Sequence, residues 1–261
     1  MTAVAGGVLL PALVGGSAAA AATAIGTLPA LFARGLSQRS QDAMLGFGAG
    51  VMLAASAFSL VLPGLDAARA LGNGRGSAAV VVGLAILAGA ALIMGMERVL
   101  PHEHFIKGIE GRATPRLQRT WLFVIAICLH NLPEGLAIGV AYANDIAQGN
   151  ALASGIALQD LPEGLVVALA LLAAGQGRAL AMAVGMCSGL VEPAGAVLGA
   201  AVVSAAPLLL PAGLGIAAGA MLYVVSHEII PESHRQGHEN FATGGLMLGF
   251  VLMMVLDSTF G

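Results

Sequence analysis

The sequence predicts an all-α, polytopic membrane protein with eight transmembrane helices, and three observations lead to this fold class. The composition is apolar, with 58% hydrophobic and 10% charged residues among 261, whereas a soluble domain has about 25% charged residues. The apolar residues form stretches of membrane-spanning length, and the basic residues fall between these stretches. A surface with so little charge is not stable in water, so the composition excludes a soluble protein.

Eight apolar stretches are long enough to cross a bilayer, since a helix needs about 20 residues to span the hydrocarbon core. They lie at approximately 4–32, 43–65, 78–96, 121–142, 150–174, 179–203, 208–230 and 243–260. The first stretch has no cationic region before it, so we interpret it as a retained helix and not as a signal peptide. The longest connection, approximately 97–120, leaves no room for a soluble domain. We therefore predict a single transmembrane domain over 1–261.

The basic residues predict the orientation of these spans. With eight spans, nine of the 11 Lys and Arg residues lie on one side of the membrane, and Arg69 and Arg75 lie on the other side with both termini. Cytoplasmic loops carry an excess of Lys and Arg. Both termini are therefore predicted to lie outside and the 97–120 connection to be cytoplasmic, in a multi-pass protein of the plasma membrane (the bacterial inner membrane).

Charge and cysteine content exclude several classes of function. The 11 basic and 14 acidic residues give a formal net charge of −3, which lacks the basic surface that nucleic-acid binding requires. Cys128 and Cys187 both lie in long apolar runs, so neither a disulfide framework nor a cysteine-rich zinc site is expected. No Gly-rich loop with a phosphate-binding lysine is present, so this chain does not consume ATP.

Four acidic residues lie deep inside predicted spans four, five and six: Glu134, Asp160, Glu163 and Glu192. Each costs roughly 2.5–3.5 kcal/mol at the centre of a membrane helix. The other ten acids, including Asp42, Glu97 and Asp257, are assigned to loops or segment ends. No Lys or Arg lies at the depth of the inner four, and buried charges are normally paired. Their counter-charge is therefore expected from outside the chain, as protons or a bound cation.

The residues around these acids repeat. A Leu-Pro-Glu-Gly motif occurs in span four and again in span five, and each copy follows a cluster of polar residues. At helical spacing these side chains share one face of each helix: His130, Asn131 and Glu134 in span four, and Gln159, Asp160 and Glu163 in span five. Pro133 and Pro162 also cannot donate to the carbonyls four residues before them, which frees two acceptors at the same depth. In antiparallel neighbours the two faces meet in mid-membrane.

Imidazole together with carboxylates suits zinc, iron, manganese or cobalt, whereas magnesium and calcium prefer shells made of oxygen alone. We expect one primary metal site, and Glu134 and Glu163 occupy matching positions from which they bridge to a second ion. Glu192 is a candidate further ligand or proton-exchange group. Met52 lies at similar depth and is a candidate thioether ligand, although a methionine in a membrane helix is usually there for packing.

The segment His130-Asn-Leu-Pro-Glu-Gly135 resembles the fourth-helix signature of the prokaryotic Zrt/Irt-like (ZIP) divalent metal transporters. The resemblance implies a pseudosymmetric 3+2+3 helix arrangement, a binuclear site on helices four and five, and a homodimer. The implied ligands are His130, Asn131, Glu134, Asp160 and Glu163. Span five departs from the commoner family pattern, which has His where this chain has Asp or Gln. Zinc is the first expected substrate, followed by cadmium, iron and manganese, and no organic cofactor is expected.

Two further groups of residues are candidates for an ion path. Ser56, Ser59 and Asp66 follow Met52 towards the outer face at helical spacing, although hydrogen bonding between helices by the serines and a solvated Asp66 explain them equally well. On the predicted cytoplasmic side, five residues cluster at and beyond the end of span seven and two histidines lie in the long loop: His227, Glu228, Glu232, His234, His238, His102 and His104. An ordinary solvated polar loop is the alternative interpretation of this second group.

The leading hypothesis is import of a divalent transition metal, with zinc first, into the cytoplasm, and both alternating access and a continuous channel remain open. One alternative is a proton- or sodium-coupled carrier of an organic solute that uses the acids as relays. A less favoured alternative is an intramembrane metallo-enzyme. The enzyme is disfavoured because neither a His-Glu-x-x-His nor a Gly-x-Ser-x-Gly motif is present.

Overall fold

A computed structural model describes the backbone of residues 2–32, 37–99, 102–104, 108–110, 119–173 and 176–260, and the side chains of 7–32, 37–98, 131–169, 171–172 and 176–259. Every predicted span is helical, so the all-α membrane fold is confirmed. The eight helical spans are α1 (Thr2–Thr27), α2 (Gln38–Ala70), α3 (Arg75–Val99), α4 (Arg119–Asn144), α5 (Ile146–Ala173), α6 (Arg178–Ala205), α7 (Pro207–His234) and α8 (Glu239–Phe260). By length and composition, seven of these eight helices are candidate membrane spans within the described residues, and α4 is the one not among them.

Four of these spans contain, or are followed by, a segment that is not α-helical. A short 3-10 helix, Leu28–Leu31, follows α1, and a turn at 189–190 divides α6 into Arg178–Ser188 and Val191–Ala205. α7 begins with the 3-10 helix Pro207–Leu209. π-helical segments occupy Ala55–Val61 in α2 and Val225–Ile229 in α7, and each ends just before a proline, Pro63 or Pro231. A proline lacks the N–H that an α-helix needs for its bond to residue i−4, which explains the altered pattern there.

The connection between α3 and α4 contains two short strands that the sequence did not predict. β1 (His102–His104) pairs antiparallel with β2 (Gly108–Glu110), and His102 lies opposite Glu110. Each strand is three residues long, so the fold class is unchanged. The side chains of these strands lie outside the described residues.

The helices pack in two groups of four. We name α1, α4, α5 and α6 the site bundle and α2, α3, α7 and α8 the second bundle. Within the site bundle α1 packs on α5 and α6 while α4 packs on α6 and α5; within the second bundle α2 packs on α8 and α3 on α7. α5 and α4 also contact α2, α8 and α7 across the boundary between the bundles. The 3+2+3 symmetry and the outside location of both termini stay predictions.

Glycines bring the helices of the site bundle into backbone contact. A Cβ atom at Gly135 of α4 would lie 2.4 Å from the backbone oxygen of Glu192 in α6. A Cβ at Gly26 of α1 would lie 2.2 Å from the backbone oxygen of Leu161 in α5. Small residues permit this close approach in membranes, where helices associate through packing and hydrogen bonds. These contacts hold α4 against α6 and α1 against α5, near the acidic residues of α4, α5 and α6.

The start of α2 differs from the sequence prediction. α2 begins five residues before its predicted start, so Asp42 lies inside the helix and is fully buried. Asp42 Oδ1 accepts a hydrogen bond of 2.9 Å from Gln38 Nε2. Asp42 Oδ2 is hydrogen-bonded to His238 Nδ1, also at 2.9 Å. Glu97 is also buried, with 4% exposure, and accepts a bond of 2.6 Å from the Tyr223 hydroxyl. Hydrogen-bond partners make this burial tolerable, and sequence spacing does not reveal the two distant ones, His238 and Tyr223.

Candidate metal site

Three carboxylates from α4 and α5 converge inside the site bundle. One oxygen from each of Glu134, Asp160 and Glu163 lies within 4.8 Å of the others. Glu134 and Asp160 are each 1% exposed, and Glu163 is partly buried. No other group of three His, Cys, Asp or Glu residues with this spacing was found among the described residues. The structure thus brings together the acids that the two Leu-Pro-Glu-Gly motifs predict to meet.

The two motifs lie on facing helices that continue through their prolines. α4 contains Pro133 and α5 contains Pro162, and neither helix is interrupted there. The side chain of Gln159 in α5 donates through Nε2 to Glu134 Oε1 in α4. This bond joins the polar faces of the two helices directly. The expected meeting of the faces therefore involves a carboxamide as well as the carboxylates.

α6 contributes Glu192, which is fully buried beside the same cluster. Its Oε1 accepts a hydrogen bond of 3.4 Å from Asn131 Nδ2 of α4. The same oxygen accepts one of 3.3 Å from Thr23 Oγ1 of α1. Asp160 of α5 is also within hydrogen-bonding reach of the Glu192 carboxyl. All four helices of the site bundle thus supply a polar side chain to one region.

Thr23 is the residue of this region that the sequence analysis missed. It is 1% exposed and lies in a long Ala-rich run. A threonine in such a run has an ordinary role, because its hydroxyl commonly bonds to the carbonyl one turn earlier. Thr23 Oγ1 indeed lies 3.3 Å from the Ala19 carbonyl oxygen. No sequence signal distinguishes this local bond from the bond to Glu192.

The basic residues lie far from this region along their helices. α4 and α6 carry Arg only at their first residues, Arg119 and Arg178, and α1 and α5 contain no Lys or Arg. At 1.5 Å per residue, Arg119 starts about 22 Å along the axis from Glu134. The ion pairs of Arg residues found among the described side chains join Arg69 to Asp66 and Arg235 to Glu232. These pairs lie at helix ends.

Four oxygens of the region have no hydrogen-bond partner among the described residues: Asn131 Oδ1, Gln159 Oε1, Asp160 Oδ2 and Glu192 Oε2. Buried polar atoms in folded proteins are almost always bonded to protein or ordered water. Four unbonded oxygens on three adjacent helices therefore indicate a site for a proton or a cation. Carboxylate and carboxamide oxygens are ligands for divalent metal ions.

The structure does not place two of the predicted ligands, His130 and Met52, at the carboxylate cluster. The backbone of His130 lies in α4, one turn before Glu134, but its side chain lies outside the described residues. Met52 is 1% exposed in the apolar core, and its carbonyl accepts a bond of 2.7 Å from Ser56 Oγ. Their roles as metal ligands stay predictions.

The candidate entrance residues are engaged in other contacts. Ser56 bonds within its own helix, and Ser59 Oγ donates to Asp257 Oδ1 of α8 at 2.5 Å. Asp66 pairs with Arg69 at 2.7 Å and is strongly exposed, with 72% side-chain exposure. These contacts agree with the two alternatives stated above, hydrogen bonding by the serines and a solvated Asp66.

The candidate exit residues lie near the end of α7. The His227 ring stacks on Tyr223 with a centroid separation of 4.9 Å, and Glu228 is partly buried beside it. His234 bonds to Thr243 of α8 at 3.2 Å. The side chains of His102 and His104 lie outside the described residues. The structure does not bring the described members of this group together with the site of α4 and α5.

Comparison with known proteins identifies relatives of the chain. The sequence profile described as "ZIP Zinc transporter" matches residues 106–257. The "Zinc transporter ZIPB" of Bordetella bronchiseptica is 55% identical over 251 residues, which cover 96% of this chain and 81% of that protein. The "Zinc transporter GufA" of Myxococcus xanthus is 45% identical over 250 residues, covering 95% and 98%. The human "Zinc transporter ZIP11" is 32% identical over an alignment of 306 positions, which covers 86% of this chain and 90% of that protein.

Proposed function

Because the chain belongs to the ZIP zinc transporter family, we propose that it imports Zn²⁺ into the cytoplasm through the carboxylate site between α4 and α5. Family membership also confirms a multi-pass membrane transporter and excludes the metallo-enzyme alternative. The two bacterial relatives indicate the inner membrane as its location. Zinc and the direction of transport are part of the proposal.

One observation carries the proposal: the carboxylates of Glu134, Asp160 and Glu163 meet within 4.8 Å inside a membrane-spanning bundle. At this distance, each pair of ionised carboxylates repels by about 3.5 kcal/mol at an effective dielectric constant of about 20. Three such pairs amount to roughly 10 kcal/mol, comparable to the net stability of a whole protein. A divalent cation between the oxygens replaces this repulsion with attraction, which favours a metal over an empty cluster.

We propose a binuclear site that extends from this cluster towards α6. The primary ion takes Glu134, Asp160 and Glu163, with His130 and Met52 as further ligands. The second ion lies towards Glu192 and Asn131, whose unbonded oxygens are buried beside Asp160. Glu134 and Glu163 bridge the two ions, as carboxylates do in two-metal helix bundles. Gln159 orients Glu134 through its amide and offers Oε1 as a further oxygen.

The proposed transport needs no motor in this chain. Zn²⁺ moves down its gradient, and protons compete for the same ligands because metals bind the deprotonated groups. Movement of the site bundle against the second bundle provides alternating access, in the manner of other transporters whose site lies near the membrane middle. Cadmium, iron and manganese are secondary substrates in this proposal, and the protein is a homodimer.

Zinc uptake into proteoliposomes, measured with the purified protein, tests the proposal. Glu163→Gln keeps the side-chain volume but removes a charged ligand, and we expect it to abolish uptake and to lower the bound zinc measured by mass spectrometry. Glu239→Gln is the matched control, because Glu239 is exposed at the start of α8. Unchanged uptake by Glu163→Gln would refute the proposed site. Accumulation of an organic solute driven by protons, without bound zinc, would favour the carrier alternative.

A further inference from the structure

An apolar crevice lies between α2, α5 and α8, at the boundary between the two bundles. It has a volume of about 480 Å³. Met44 and Phe47 of α2 form one wall, Pro162 of α5 forms another, and Phe241, Gly244 and Leu248 of α8 form the third. The walls contain no charged side chain. The crevice is separate from the proposed metal site, because the side chains that line the crevice are almost all apolar.

The crevice is confined to the cytoplasmic half of the bundle, given the orientation that the basic residues predict. In the outer half, α5 and α8 are in tight contact, because Met253 Sδ lies 2.1 Å from the position of a Cβ on Gly155. α2 and α8 touch through their backbones, and a Cβ on Gly245 would lie 2.1 Å from the Ala43 oxygen. The crevice is therefore the space that opens between α5 and the α2–α8 pair where they separate.

The dimensions and openness of the crevice fit a lipid chain. From Arg39 to Phe47 along α2 is about 12 Å, and from Phe241 to Leu248 along α8 is about 10 Å. One leaflet of the hydrocarbon core is about 15 Å thick. Phe241 is 50% exposed and Leu248 is 69% exposed, so the opening faces the surrounding bilayer. An acyl chain that lies parallel to the helices reaches from the headgroup level to Pro162.

The mouth of the crevice carries a positive charge. The Arg39 guanidinium carbon lies 5.7 Å from the centroid of the Phe241 ring. Arg39 is exposed, and no ion pair of Arg39 is present among the described side chains. A basic side chain at the cytoplasmic surface attracts anionic lipid by about 1 kcal/mol. The charge and the apolar walls therefore suit the two parts of one molecule.

We propose that this crevice binds an anionic phospholipid, with one acyl chain between α2, α5 and α8 and the phosphate beside Arg39. The phospholipid fills the space between the α2–α8 pair and α5, next to the helix turn that carries Asp160 and Glu163. This site is separate from the metal ligands, because Pro162 presents an apolar ring to the crevice. A second copy of the chain is the competing occupant, and the experiment below distinguishes it.

The test uses the whole purified protein in nanodiscs that contain a trace of phosphatidylglycerol with a photoactivatable group on its acyl chain. After illumination, mass spectrometry identifies the labelled residues. We expect labelling within 43–47 and 240–248, and we expect unlabelled phosphatidylglycerol to compete better than phosphatidylcholine with the same chains. Arg39→Gln is expected to reduce this preference about fivefold, the factor that corresponds to one basic residue near anionic lipid.

A matched pair of glycine variants tests the crevice itself. A Cβ at Gly244 or at Gly95 meets no atom within 4 Å, so both positions have open space where a larger side chain begins. Gly244→Leu fills the crevice, whereas Gly95→Leu lies on the exposed surface of α3 near its cytoplasmic end. We expect Gly244→Leu to reduce labelling about tenfold, as the loss of about two buried methylene contacts predicts. Gly95→Leu should label like the unaltered protein.

Four results would overturn the proposal. One is equal labelling of Gly244→Leu and Gly95→Leu, and another is labelling spread evenly over all exposed helix faces, which indicates surrounding lipid only. The third is a dimer that dissociates in Gly244→Leu but persists in Gly95→Leu, because a second chain is then the occupant. An unchanged lipid preference in Arg39→Gln would likewise contradict the assignment of the phosphate. Size-exclusion profiles of all variants establish that the comparison is between folded proteins.

Discussion

Gly135→Ala tests whether the spacing of α4 and α6 sets the second metal site. The added Cβ would lie 2.4 Å from the backbone oxygen of Glu192 and 2.8 Å from the Cα of Glu192, whereas ordinary contacts begin at 3.4 Å. The two backbones must therefore separate by about 1 Å. The Asn131 to Glu192 hydrogen bond is already 3.4 Å long, so this shift breaks it. Overpacking of this kind typically costs about 1–3 kcal/mol of stability.

We expect Gly135→Ala to retain the primary zinc ion and to bind the second ion about 10–100-fold more weakly, the usual range for a disturbed supporting partner of a metal ligand. Isothermal titration calorimetry of zinc binding measures both affinities. Gly48→Ala in α2 is the control, because a Cβ there meets nothing within 4 Å. If Gly135→Ala binds two zinc ions with unchanged affinities, contact between the α4 and α6 backbones does not position the ligands, and the reasoning is refuted.

Three further predictions concern other parts of the structure. Glu192→Gln should weaken zinc uptake less than Glu134→Gln, because Glu192 lies at the edge of the carboxylate cluster; complete loss of uptake would promote Glu192 to a primary ligand. Zinc binding should weaken as pH falls through the acid range, because protons compete with the metal for carboxylates and imidazole; a pH-independent titration would contradict this assignment. His238→Ala removes a partner of buried Asp42 and should cost about 1–3 kcal/mol of stability; thermal unfolding in detergent measures this, with exposed Glu239→Gln as control, and an unchanged midpoint would contradict the structural role.

The approximate positions of the spans and the meeting of three carboxylates could be predicted from sequence, and the reason is physical. A membrane helix must satisfy its own backbone and expose apolar side chains to lipid, so its length and composition identify it. A carboxylate inside such a stretch is expensive, so Glu134, Asp160 and Glu163 are conspicuous. Helical spacing then gives the shared face. These arguments depend on local properties, and the structure agrees with them.

Contacts between distant segments could not be predicted in the same way. Burial of Asp42 depends on His238, 196 positions away in the chain, and the role of Thr23 depends on Glu192, 169 positions away. The π-helical segments had a usable signal in Pro63 and Pro231, each of which lies shortly after the altered hydrogen bonds. At Ser59, four residues before Pro63, the carbonyl accepts a bond from Gln148 of α5. The partner of a freed carbonyl is a tertiary property and is not encoded locally.

Binding of Zn²⁺ between the carboxylates of α4 and α5 can be observed directly. Anomalous diffraction from crystals of the zinc-loaded protein, recorded on both sides of the zinc absorption edge, locates the metal directly. We expect a strong peak about 2.0–2.2 Å from oxygens of Glu134, Asp160 and Glu163, with a second peak towards Glu192. Zinc peaks confined to the histidines near the end of α7, with none between α4 and α5, would contradict this expectation.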